Sequence, residues 1–315
     1  MKWRILVSAP YLQPFINQFR SVFEAHNAEI ILPEVHERLS EEELLNVVGD
    51  IDGVVAGDDQ FSRRVLEKAA PRLKVISKWG TGVDAFDHDA CREFGVEIRN
   101  TPDAFTHPVA DSVLGYVLCF ARQLPWMALQ MKAGVWNKIP GRALNESTLG
   151  IIGVGRIGKA IARRAKGFGM RILGNDLVDM PADFLMETGI EMVSKDKLLK
   201  EADFVTLNCD LNPSSRYLMR AEEFHRMKPS AVVINLARGP IIDESALSAA
   251  LQSDIIAGAA MDVFENEPLP IDSPLRGLDN VLLAPHNSNS SPDAWARVHE
   301  NTLKNLFDVL EGEPT

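Results

Sequence analysis

The chain has 315 residues, 46% of them hydrophobic, with 44 acidic and 33 basic side chains and a formal net charge of −11. That length can bury a sizeable core and suits two domains better than one. The acidic balance argues against nucleic acid and anionic membrane surfaces as partners, because both require a basic face.

From residue 3 to about 100, strand-like runs at Trp3-Arg4-Ile5-Leu6-Val7, Ile30-Ile31-Leu32, Val54-Val55-Ala56 and Leu73-Lys74-Val75-Ile76 are separated by helical stretches, a βα alternation. The first run turns polar at Ser8, too early for a signal peptide, and no apolar stretch approaches the roughly 20 residues that span a bilayer. A cytoplasmic protein is expected. Ser40-Glu41-Glu42-Glu43 before Leu44-Leu45 has the capping-box form, so its acids mark a helix start and not a metal site. After the fourth run comes Ser77-Lys78-Trp79-Gly80-Thr81-Gly82-Val83-Asp84, a glycine-rich turn at the carboxyl end of a strand, where open α/β sheets bind ligands. Asn100-Thr101-Pro102 then punctuates the chain, and a largely apolar helix from 109 to about 124 reads as the crossing into a second domain. Residues 133–147, with Trp136 and Pro140, form an irregular arm that either embraces another subunit or is a surface loop.

Leu149-Gly150-Ile151-Ile152 opens the second half and breaks into Gly153-Val154-Gly155-Arg156-Ile157-Gly158 before Lys159-Ala160-Ile161-Ala162. This is strand, tight turn and helix with G-x-G-x-x-G spacing. Gly153 lets the chain turn, Gly155 lets the backbone approach a pyrophosphate, and Gly158 lets the helix pack closely on the strand. The phosphates would sit at the helix N-terminus, where unpaired N–H groups and the helix dipole favour negative charge. A second run, Met170-Arg171-Ile172-Leu173-Gly174-Asn175, ends in Asp176, 18 positions after Gly158, about where this arrangement places the acid that binds the adenosine ribose. Leu177-Val178-Asp179 follows with no Arg or Lys, so a 2′-phosphate would meet negative charge, and NAD is read in preference to NADP.

Further strand runs at Phe204-Val205-Thr206-Leu207, Ala231-Val232-Val233-Ile234-Asn235, residues 257–263 and Val281-Leu282-Leu283 complete a doubly wound parallel pattern, and residues 292–310 form one amphipathic helix. Arg238, Glu267 and His286 each fall at or just beyond the end of an apolar run. If those runs are parallel neighbours, a cation, an acid and an imidazole share the sheet edge that carries the glycine turn. Hydride transfer from a 2-hydroxy acid needs a base for the hydroxyl proton, and His286 is the candidate. Glu267 would orient the ring and favour imidazolium, and the fork of Arg238 suits a substrate carboxylate and the developing alkoxide. Cys91, Cys119 and Cys209 lie far apart without C-x-x-C spacing, so neither a disulfide framework nor a cysteine metal site is implied, and no histidine–carboxylate spacing suggests a metal.

These residues, together with Asn235-Leu236-Ala237-Arg238-Gly239, Asp262-Val263-Phe264-Glu265-Asn266-Glu267-Pro268 and Ala284-Pro285-His286, resemble the D-isomer-specific 2-hydroxyacid dehydrogenase family nearly end to end. The resemblance implies that Arg238, Glu267 and His286 are the catalytic trio, that Arg156-Ile157 contact the pyrophosphate and Asp176 the ribose, and that Ala237 and Asp262 anchor the nicotinamide carboxamide. It further implies that backbone amides near Thr81-Gly82 bind the substrate carboxylate and that the chain is a homodimer through its cofactor domain. The fold expected is α/β with two doubly wound parallel-sheet domains: a Rossmann cofactor domain, residues 103–287, inserted in a flavodoxin-like substrate domain, residues 1–102 and 288–315. The implied substrate is a small D-2-hydroxy acid or its 2-oxo acid, with 3-phosphoglycerate and hydroxypyruvate or glyoxylate as candidates.

Departures from the family pattern are Asn208 and Asp210 where His and Pro are common, Asp111 where Glu is common, and the polar run Asn287-Ser288-Asn289-Ser290 after the histidine. With Lys78, that run suggests a substrate bearing extra hydroxyls or an anionic tail; alternatively it only caps the C-terminal helix. The sequence ends before a regulatory domain of the kind found on longer relatives, so feedback through one is not expected. A non-catalytic NAD(H)-sensing protein on the same fold is the alternative reading.

Overall fold

Strands buried on both faces of a parallel sheet require short, nearly unbroken apolar runs, and both halves of the chain supply them. The computed structural model describes residues 2–312. Its contacts divide the chain into two units, Met1–Phe105 with Ser291–Thr315, and Thr106–Ser290.

The first unit alternates β1 (Trp3–Val7), α1 (Ile16–Ala25), β2 (Ala28–Ile31), α2 (Glu41–Val47), β3 (Gly53–Ala56), α3 (Arg63–Ala69), β4 (Val75–Lys78), α4 (His88–Phe94) and β5 (Glu97–Arg99). The sheet is parallel throughout in the order β2-β1-β3-β4-β5, the flavodoxin-like arrangement. Strand β4 lies two residues later than its apolar run suggests, which makes Lys78 its last residue. Strand β5 is three residues of a half-exposed edge with no apolar run, and so carries no sequence signal. The capping box at Ser40 forms as read, with Glu43 N–H on the Ser40 side chain and the Glu43 carboxylate on the Ser40 N–H.

The second unit begins with α5 (Thr106–Ala121) and α6 (Leu124–Lys132), then alternates β6 (Thr148–Ile152), α7 (Arg156–Gly167), β7 (Arg171–Asn175), α8 (Ala182–Thr188), β8 (Glu191–Met192), α9 (Lys195–Glu201), β9 (Phe204–Leu207), α10 (Ala221–Arg226), β10 (Val232–Asn235), α11 (Glu244–Gln252), β11 (Gly258–Met261) and β12 (Val281–Leu283). Its sheet is also parallel, in the order β12-β11-β10-β9-β6-β7-β8. The order reverses direction at β6, the switch point where doubly wound sheets of the Rossmann type place a ligand. All residues of β9, β10 and β11 are buried, so these strands are fixed in register by apolar packing on both faces. Helix α6 buries none of its residues, and the irregular segment that follows leaves Trp136 83% exposed.

The last helix, α12 (Pro292–Glu311), belongs to the first unit. Ser291 caps its start by accepting the Ala294 N–H, and Gly312, at φ 75°, ends it in the left-handed conformation that glycine adopts without strain. Its apolar face covers β3 and β4: Leu306 Cδ1 sits where a Cβ on Gly53 would be 2.7 Å away, and Ser77 Oγ donates to the Thr302 carbonyl at 2.8 Å. Replacing the fully buried Leu306 by Ala is expected to cost about 2–5 kcal/mol in urea denaturation. A loss below about 1 kcal/mol would contradict this packing role.

Candidate active site

Parallel pairing puts the carboxyl ends of β10, β11 and β12 side by side, and a run of backbone hydrogen bonds extends the ladder past them. Asp262 N–H donates to the Asn235 carbonyl at 3.1 Å, and His286 N–H donates to the Asp262 carbonyl at 2.7 Å. The loops bearing Arg238, Glu267 and His286 are thereby seated together on one edge of the sheet. Glu267 bridges inward: its Oε1 accepts the Phe264 N–H at 2.9 Å, and its Oε2 lies 3.0 Å from His286 Nδ1. A carboxylate accepts, so Nδ1 carries the proton of this pair. Both side chains are 21% exposed, enough to meet a ligand and little enough for their mutual attraction to hold.

His286 adopts φ 51°, an uncommon conformation for a residue with a Cβ. Its stabiliser is Asp262, fully buried, whose two carboxylate oxygens accept the N–H groups of Asn287 at 2.7 Å and Ser288 at 2.8 Å. The polar run after the histidine is thus drawn into the turn itself, and Ser290 Oγ bonds to the Asn287 side chain. Asn235 does the same for Arg238: its Nδ2 donates to the Arg238 carbonyl at 2.8 Å and its Oδ1 accepts the Ala237 N–H at 3.1 Å, while Arg238 itself donates to the Ala237 carbonyl. Asn235 is a site residue that the sequence reading leaves out. Its signal is a polar residue ending an otherwise apolar, wholly buried strand.

The glycine turn stands at the end of β6, with β9 between it and β10. At Gly153, φ is +88° and a Cβ would lie 2.6 Å from the Cys209 nitrogen; at Gly158 a Cβ would lie 2.2 Å from the Gly153 carbonyl oxygen. At Gly155, by contrast, a Cβ meets nothing within 4 Å, and as N-cap of α7 it leaves the first turn's N–H groups without a side-chain cap. This open, donor-rich cradle fits a pyrophosphate. Arg156 and Ile157 form the first turn of α7 beside it. Asp176 follows β7; its Oδ2 accepts the Val154 N–H at 2.6 Å and its Oδ1 the Val178 N–H at 3.0 Å, which fixes the carboxylate next to the turn with lone pairs remaining for ribose hydroxyls. Burial pushes the thiol of Cys209, beside the turn, up to about 11.

On the first unit, the turn Gly80-Thr81-Gly82 is strapped by Asn100 and Thr101. Asn100 Nδ2 donates to the Thr81 carbonyl at 2.6 Å, and Thr101 gives both its N–H and its hydroxyl to the Gly80 carbonyl. Lys78, at the end of β4, does not project from this turn. Its side chain is 6% exposed, and its Nζ pairs with Asp58 Oδ1 at 3.0 Å and donates to the Trp79 carbonyl at 3.2 Å. Other sequence departures have structural partners: Asp111 pairs with Arg164 at 2.6 Å, and Asn208 hydrogen-bonds with Thr206. His107 stands 3.3 Å from the same Arg164. Among the described residues no helix is long and apolar enough to cross a membrane, and no group of three or more His, Cys, Asp or Glu side chains could hold a metal ion.

Residues 114–288 match the family model for the D-isomer specific 2-hydroxyacid dehydrogenase, NAD binding domain. The chain is 39% identical to D-3-phosphoglycerate dehydrogenase of Methanocaldococcus jannaschii, over 98% of its own length and 58% of that protein's. It is 37% identical to a glyoxylate reductase of Thermococcus onnurineus, over 99% and 94% of the two chains. Among solved structures, D-lactate dehydrogenase from Aquifex aeolicus, complexed with NAD and lactic acid, superimposes with a TM-score of 0.88 at 26% identity, covering 98% of this chain and 96% of that one. The fit of the glycine turn to a dinucleotide can be tested directly. Gly158→Ala forces a Cβ against backbone, and NADH affinity by fluorescence titration is expected to fall at least about tenfold. Unchanged affinity would contradict the cradle.

Proposed function

The chain belongs to the D-isomer-specific 2-hydroxyacid dehydrogenase family, and from that premise we propose that it transfers a hydride between NAD and a small D-2-hydroxy acid or its 2-oxo acid. The observation that carries the reading is the His286–Glu267 pair at 3.0 Å, set on the same sheet edge as Arg238. The glycine turn, Arg156, Ile157 and Asp176 would hold the cofactor, which when bound would supply or accept the hydride. In reduction, His286 protonates the substrate oxygen through Nε2 while Glu267 stabilises the imidazolium; in oxidation it takes the same proton back. Arg238 binds the substrate carboxylate and stabilises the charge that develops on the oxygen. Ala237 and Asp262 hold the nicotinamide carboxamide, Asp262 with lone pairs beyond the two used on Asn287 and Ser288. Asp176, with no cation in Leu177-Val178-Asp179, supports NAD over NADP.

On the first unit, backbone amides at Thr81 and Gly82 receive a carboxylate, in a turn already fixed by Asn100 and Thr101. Lys78 contributes by holding that turn from beneath, because its charge is balanced by Asp58. The Lys78 charge is already met by Asp58, which favours hydroxypyruvate or glyoxylate over a phosphorylated acid. The exposed apolar residues Leu124, Leu129 and Met131 on α6, followed by Val135 and Trp136, support a homodimer formed through this segment.

NADH oxidation at 340 nm against glyoxylate, hydroxypyruvate, phosphohydroxypyruvate and pyruvate tests the reading. Turnover of an uncharged-tail acid with NADH preferred to NADPH is expected; NADH binding without turnover of any of them would favour the sensing protein instead. His286→Ala should lower kcat by at least about 10²-fold while leaving NADH binding nearly intact. Retention of more than about a tenth of the activity would end the acid/base assignment. Light scattering should give twice the chain mass, and Trp136→Glu should shift it towards the monomer; a monomeric wild type would refute the dimer.

A further inference from the structure

Glu244 and Glu265 exchange hydrogen bonds across two loops that the proposed chemistry depends on. Glu265 Oε1 accepts the Glu244 backbone N–H at 3.0 Å, and Glu244 Oε1 accepts the Glu265 backbone N–H. Glu244 is the first residue of α11, where a helix leaves its N–H groups without intrahelical partners, so the Glu265 carboxylate fills a position that water commonly takes. The N-cap Asp243 is occupied elsewhere, on the Ala246 N–H. Glu265 Oε2 also accepts the Tyr217 hydroxyl at 3.3 Å, which ties a third segment into the same knot.

We infer that this reciprocal clasp is a positioning device for Glu267, and through it for the His286 imidazole. A single residue, Asn266, separates the clasped Glu265 from Glu267. Gly239, next to Arg238, lies so close to the clasped loop that a Cβ on it would be 1.9 Å from the Phe264 carbonyl carbon. The Arg238 loop and the Glu267 loop therefore meet backbone on backbone at Gly239 and are joined again at the clasp. On its outer side the clasp faces a cavity of about 470 Å³ that Tyr217, Asn266 and Ser273 also line. Burial, with Glu265 and Glu267 as neighbouring charges, pushes the Glu244 carboxyl above its ordinary range.

This inference rests on the proposed role of Glu267, and a double-mutant cycle separates the two. Glu244→Ala and Glu244→Asp both withdraw the carboxylate from the Glu265 N–H; the Asp variant keeps an acid in the first turn of α11 and guards against a failure to fold. Each is expected to lower kcat about tenfold or more, since displacements near 1 Å can cost 10²-fold, with the NADH dissociation constant changed less than about twofold. Glu244→Gln, whose amide oxygen still accepts, should restore most of the rate. In a Glu267→Gln background, Glu244→Ala should cost less than about twofold, because the group it positions is already gone. Wild-type kcat in Glu244→Ala and Glu244→Asp, or the same loss with and without Glu267, would overturn the clasp. Full activity in Glu267→Gln alone would remove the role of Glu267 and the clasp with it, a result distinct from the other two.

Discussion

The buried carboxylate of Asp262 is the constraint on which the second unit's edge depends. A charge removed from water must be met by donors, and here the donors are the N–H groups of Asn287 and Ser288. Meeting that requirement bends the chain after β12 into the turn that holds His286 at a positive φ. Asp262 also lies between its neighbours in the extended ladder, receiving the bond from His286 on one side and giving one to Asn235 on the other. Removing the carboxylate would leave two buried or half-buried donors unmet, at a cost of about 1–3 kcal/mol each. The imidazole would lose its register with Glu267 before the sheet lost its strands.

Around that constraint the sheet does the coarse positioning and polar side chains the fine. Wholly buried β9, β10 and β11 fix the carboxyl ends to within the register of parallel pairing. Asn235, Asp262 and the Glu244–Glu265 clasp spend their hydrogen bonds on the backbone of the loops that carry Arg238, Glu267 and His286, the residues proposed to meet a ligand. The same division holds at the glycine turn, where close backbone contacts at Gly153 and Gly158 set the shape and Asp176 braces it through Val154.

Much of this is legible in the sequence, because apolar runs in a doubly wound protein announce where strands end, and strand ends are where its chemistry sits. That Arg238, Glu267 and His286 share one sheet edge could be read from their places after such runs. The two short edge strands β5 and β8 could not, since neither has an apolar run. Lys78 looks like an anion receptor in sequence, and only the pairing of β3 with β4 reveals that Asp58 takes its charge. In sequence the polar run from Asn287 to Ser290 allows two readings; in the structure its first two amides belong to Asp262, and the cap of α12 is Ser291. Glu244 and Glu265 are 21 positions apart, and a helix-start acid and a loop acid give no hint that they meet.

The proposed direct hydride transfer, with the proton handled separately by His286, makes a specific demand on the product. Reduction of the accepted 2-oxo acid with [4,4-²H₂]NADH in ordinary water, followed by mass spectrometry of the product, measures it. One deuterium fixed on C2 of the hydroxy acid, with none lost to solvent, is the result expected. A product whose C2 hydrogen comes from water would contradict hydride transfer at this site.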